Sequence, residues 1–146
     1  MQFRHTMSLL LGLGTLLAAS LSVAAPPEQV VRELGLWRQA VASEDPARIA
    51  GRMIKGQRIV FKQVGAGDKP SLSLDRDALR QRLVAGQADA LGLSRSLLLP
   101  RPQDLKPEAE GRWVATDARC PEVRWFFEKH GVRWRLAQVE RHLLGC

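Results

Sequence analysis

Apolar positions recur at a helical period across 28–42: Val30, Leu34, Trp37 and Val41 share a face, and Arg32, Glu33, Arg38 and Gln39 fall off it. Gly35 inside the run costs about 1 kcal/mol relative to alanine without breaking the pattern. The chain restarts at Ser43-Glu44-Asp45-Pro46, where Asp45 suits an N-cap and Pro46 the first helical position. A short second helix is predicted to about Lys55, with Ile49 and Met53 inward and Gly56 as its stop. QRIVFKQV at 57–64 reads as a strand, and GAGDKP behind it as a plain turn. That turn lacks the G-K-[ST] ending of a phosphate-binding loop. Asp75 then caps a helix over 76–85, with Leu74 and Leu79 spaced as a hydrophobic staple and Gly86 ending it. From 87 to 111 the period is lost. Leu91, Leu93 and the leucines at 97–99 fit short strands or a packed loop, and Pro100, Pro102 and Pro107 interrupt any long element. RWVAT at 112–116 returns to strand character.

The tail carries the clearest strand pattern. Runs at 123–129 and 132–140 are rich in β-branched and aromatic residues and are separated by His130-Gly131, which predicts a hairpin. A two-residue loop there pairs Lys129 with Val132, Phe127 with Trp134, Trp125 with Leu136 and Val123 with Gln138. One face then holds Val123, Trp125, Phe127, Val132, Trp134 and Leu136. The other sets Glu128 opposite Arg133, and Phe126 opposite Arg135. The aromatic face is the predicted meeting place for any ligand, through Trp125, Phe127 and Trp134, unless the helices fill it as core.

Before the first helix stands a different signal. A short polar start with Arg4 and His5 leads into SLLLGLGTLLAASLSVAA, and Pro26-Pro27 follow at once. Small residues at Ser22 and Ala24 mark a cleavage site after Ala24, with Ala25 as the second choice, so 1–24 reads as a signal peptide and 25–146 as a single exported domain, periplasmic or secreted. No stable membrane insertion is expected after cleavage. In an exported chain the two cysteines, Cys120 and Cys146, read as one disulfide rather than a metal site. The chain holds 22 basic and 15 acidic residues, and only Arg4 of these lies in the leader, so the charge falls from +7 to +6. The basic residues are mostly arginine and scattered, which predicts a solvated surface and no nucleic-acid site.

Helices first and strands after, closing on an antiparallel hairpin, is an α+β order and not an alternating βαβ one. With "SEDPARIAGRM" linking the helix pair and "FFEKHGVRWRLAQVE" as the terminal hairpin, the chain resembles the NTF2-like (SnoaL-like) superfamily. The resemblance implies N-terminal helices packed on a curved antiparallel sheet, in a cone with a pocket.

Catalytic signals are sparse. No H-E-x-x-H, C-x-x-C, G-x-S-x-G or G-x-G-x-x-G pattern occurs past the leader, so no cofactor or metal is expected. Glu140 and His142 share strand parity with Trp134 and Leu136, which aims them at the apolar face as a candidate acid–base pair. Asp117 and Asp75 are weaker candidates, the latter explained as a cap. The expectation is a non-catalytic envelope domain binding a small apolar ligand or an envelope protein. The alternative is a small enzyme of the NTF2-like kind, an isomerase or hydrolase, using Glu140 and His142.

Overall fold

The computed structural model describes residues 24–65, 67, 69–109 and 111–144. The leader read at 1–24, except for Ala24 itself, and the cysteine at 146 lie outside the described residues. Helix α1 (Glu28–Ala42) buries Val30, Leu34, Trp37 and Val41 on the predicted face. Helix α2 (Pro46–Ala50) is capped by the Asp45 side chain, which accepts from the Ala47 amide at 2.9 Å. It ends well before Lys55, and Met53 is buried from the turn behind it. Strands β1 (Ile59–Val64) and β2 (Leu72–Leu74) form a hairpin that feeds α3 (Arg76–Val84). The Asp75 carboxylate caps α3 at the Ala78 amide, 2.8 Å away. A 3₁₀ turn at Pro102–Asp104 and strand β3 (Leu105–Pro107) precede β4 (Arg112–Thr116), β5 (Val123–His130) and β6 (Arg133–His142).

The six strands make one sheet in the order β2-β1-β6-β5-β4-β3. Only β1 and β6 run parallel; every other neighbouring pair is antiparallel. The architecture is α+β, with helices followed by a mixed sheet. Ile59, Phe61, Trp125, Phe127, Leu136 and Val139 meet the apolar stripes of the helices in one core. Full burial of such side chains contributes about 1.5–3 kcal/mol each.

The stretch from 87 to 104, unreadable in sequence, folds as turns that close over this core with Leu91, Leu93 and Leu97 buried. Gly92 makes the closure possible. It sits at φ +71°, and a Cβ there would meet Val139 Cγ1 at 2.9 Å. Its carbonyl accepts from the Trp125 indole at 3.4 Å. Arg38 on α1 donates to the carbonyls of Leu99 and Pro100, holding the far end of the same stretch.

The hairpin forms, but in another register. The loop is Gly131-Val132, so His130 faces Arg133 and Phe127 faces Leu136. Gly131 takes φ +61°, and Val132 is 78% exposed instead of joining the apolar face. The register then shifts again: Phe126 pairs with Gln138, leaving Ala137 as an extra residue on β6. Beyond this bulge the alternation is inverted. Val139 faces the core, while Glu140 pairs with Arg124 on the opposite face. Arg141 lies across from Val123.

Candidate functional site

β1 joins β6 only from Gln138 onward, so the first half of β6 has no strand beside it on that edge. Gln57 partly fills the gap. Its amide nitrogen donates to the Leu136 carbonyl at 2.9 Å, and its oxygen accepts from the Ile54 amide at 3.1 Å. What remains is a cavity of about 400 Å³ between α1, the turn after α2 and the start of β6. Trp37, Met53 and Leu136 line it from the core side, and Trp134 stands partly buried along it.

Arginine dominates its polar lining. Arg52 donates through one terminal nitrogen to both Glu33 oxygens, at 3.0 and 3.1 Å. Arg32 reaches back one turn to Glu28 at 3.6 Å. Arg133 and Arg135 also line the cavity, and neither makes an ion pair or side-chain hydrogen bond among the described residues. Both the Arg52 and the Arg135 Nε atoms are buried without a hydrogen-bond partner. Glu33 is the single carboxylate in the lining, and no histidine, serine, threonine or cysteine of the described residues contributes to it.

Two smaller hollows flank the core. One of about 250 Å³ lies between β1 and the turn after α3 and is lined by Phe61, Leu72, Lys62 and Lys69. Another, of about 120 Å³, lies between α1, α2 and Leu93.

Glu140 and His142 come together, with Glu140 Oε2 at 3.0 Å from His142 Nε2. Gln138 donates to the other Glu140 oxygen at 3.0 Å, and Arg124 lies 3.6 Å away. The bulge at Ala137 puts this group on the sheet face shared with Phe126, whose ring carries Arg112 at 4.6 Å and Arg124 at 5.2 Å. Among the described residues, none of these three cavities is lined by Glu140 or His142. Of the three aromatic residues expected to meet a ligand, Trp125 and Phe127 are fully buried in the core, and Trp134 alone reaches a cavity. His130 is exposed at the hairpin tip, 3.9 Å from Glu128. The Cys120–Cys146 pairing falls partly outside the described residues, since Cys146 is not among them.

Asp117 is fully buried. Its oxygens accept from the Arg119 amide at 2.9 Å, Arg119 Nε at 3.1 Å and an Arg119 terminal nitrogen at 2.8 Å. The Arg119 side-chain hydrogen bonds hold its pKa far below the usual carboxylate range, against the opposing effect of burial. Arg101, itself bound to Asp104, stands 3.9 Å off. A carboxylate saturated in this way is a structural tie between β4 and the 3₁₀ turn.

Sequence reasoning missed Arg52, Arg133 and Arg135 as site residues. The alternation in RWRL places both hairpin arginines on the solvated side of a strand, and only the late start of β1 turns that edge into a wall.

No family model matches the chain, and no curated protein matches it. Among solved structures it is similar to an NTF2-like protein with a cystatin-like fold from Novosphingobium aromaticivorans, at 16% identity and a TM-score of 0.42 over 80% of each chain. It is also similar to a putative calcium/calmodulin dependent protein kinase II association domain from Xanthomonas campestris. There the identity is 9% and the TM-score 0.42, over 85% of this chain and 91% of that one. The likeness to NTF2-like structures is weak and concerns the fold.

Proposed function

We propose that this is an exported, non-catalytic domain that binds a small ligand in the cavity beside β6. The observation that carries this reading is the separation of cavity from acid–base chemistry. The cavity is lined by aromatic, aliphatic and arginine side chains, and its one carboxylate is engaged by Arg52. Its volume is at the lower end for small-molecule sites, which are typically about 300–1,000 Å³. Export rests on the leader at 1–24, and the Cys120–Cys146 bridge accompanies it. The reason is the sequence: two cysteines in an exported chain pair with each other. A bridge of this loop length stabilises by roughly 3 kcal/mol in the chain-entropy model.

One contact favours the second reading, a small hydrolase or isomerase. The 3.0 Å bond between Glu140 and His142 is the geometry of a carboxylate orienting an imidazole. Against it, none of the three cavities described above reaches the pair, so no pocket among them would hold a substrate there.

Native mass spectrometry of the protein purified from the cell envelope tests both readings. The expected result is a chain lacking 1–24, two hydrogens lighter than its reduced form, carrying a non-covalent small-molecule adduct. Trp134→Ala should lose the adduct and Glu140→Gln should keep it. Loss in Glu140→Gln with retention in Trp134→Ala would move the site to the sheet face and put the enzyme reading first.

A further inference from the structure

We infer that the ligand of this cavity is a small organic anion, with an apolar body and one carboxylate- or phosphate-type group. This rests on the ligand-binding reading above and adds the chemistry of the ligand. The charges decide it. Four arginines and one glutamate line the cavity, and two of the arginines already face a carboxylate: Arg52 bonds Glu33, and Arg32 lies 3.6 Å from Glu28. Arg133 and Arg135 are left with no counter-charge in contact among the described residues. They stand two residues apart on the strand whose edge bounds the cavity. The buried Arg135 Nε has lost its water and gained no acceptor, a costly state that an incoming oxyanion relieves. Guanidinium is suited to this task, because its planar donors match the two oxygens of a carboxylate or phosphate.

The rest of the lining fixes the remainder of the ligand. Trp134 and Trp37 offer indole surface, and Met53 and Leu136 adjoin them. An inorganic anion would leave that surface uncovered, and a neutral apolar molecule would leave the buried Arg135 Nε without an acceptor. A cavity of about 400 Å³ has room for one such molecule and not for a folded partner.

A matched pair of fluorescent probes separates these requirements. Anilinonaphthalenesulfonate carries an anionic group, and phenylnaphthylamine is its neutral counterpart. With the oxidised mature protein, the anionic dye should saturate one site and bind at least about tenfold more tightly than the neutral dye, the scale expected of a charged hydrogen bond. Arg133→Gln and Arg135→Gln should each remove most of that advantage and leave the neutral dye unaffected. Arg80→Gln, an exposed arginine on α3 with the same change in net charge, should leave both dyes unchanged. Octanoate should displace the anionic dye at concentrations where inorganic phosphate does not.

Equal affinity for the two dyes in the unsubstituted protein overturns the anion inference and leaves the binding reading standing. Failure of both dyes to bind overturns the binding reading itself. An equal loss of the anionic advantage in Arg80→Gln means a diffuse charge effect and also overturns the inference. Displacement by phosphate as readily as by octanoate overturns the apolar body. The dye comparison needs no variant, so a variant that fails to fold cannot hide the answer.

Discussion

Asp117 shows what a carboxylate does when its partners are built in. It is fully buried, yet its pKa is held far below that of a free carboxylate by the Arg119 hydrogen bonds. Its unfolded-state pKa is near 3.9. A folded value below that means the bond set contributes stability that is fully present above about pH 4 and is lost as pH falls towards the folded pKa. Asp117→Asn should therefore lower the thermal midpoint at pH 7, and the gap to the unsubstituted protein should narrow below about pH 4. Melting curves by circular dichroism from pH 7 to pH 3 would check this; a constant gap would show that the charge contributes nothing. In sequence Asp117 was a weak acid–base candidate among fifteen acidic residues, and nothing near it announced that Arg119, two residues on, would fold back to meet it. Glu140 and His142 were found by parity and do touch, but on the other side of the sheet. A single extra residue, Ala137, changed the answer.

At the scale of elements, the helices were legible because caps and periodicity agree. Asp45 and Asp75 each bond the amide that their positions called for. The hairpin was legible in kind but not in register, since Gly131 serves a loop at 130–131 as readily as one at 131–132, and no residue type marks a bulge. The turns of 87–104 were not legible at all, because they are held by tertiary contacts: Arg38 to the carbonyls at Leu99 and Pro100, and Gly92 against Val139 and Trp125. Two glycines make this testable. Gly92→Ala meets both a positive φ and a 2.9 Å contact and should cost about 1–3 kcal/mol. Gly35→Ala adds a methyl into open space on α1 and should instead stabilise by about 0.4–1 kcal/mol. Urea unfolding followed by tryptophan fluorescence reads both; a neutral Gly92→Ala would mean the 87–104 turns do not pack on the sheet as described.

For the whole molecule, the α+β order of helices and strands could be read from pattern alone, whereas the cavity could not. It arises where pairing with the parallel strand begins only five residues beyond the start of β6, so it belongs to topology rather than to any motif. Arginines that read as a scattered solvated surface are brought together there from α1, the turn after α2 and β6. The four tryptophans make this placement directly measurable. Trp37 and Trp134 line the cavity, and Trp113 and Trp125 do not. In nitrogen-15 correlation spectra each indole N–H gives its own cross-peak, assignable through Trp134→Phe and Trp37→Phe. Titration with anilinonaphthalenesulfonate should shift the Trp134 and Trp37 peaks along one saturable curve and leave Trp113 and Trp125 in place. Shifts confined to Trp113 or Trp125, or no saturable shift at Trp134, would contradict a ligand site beside β6.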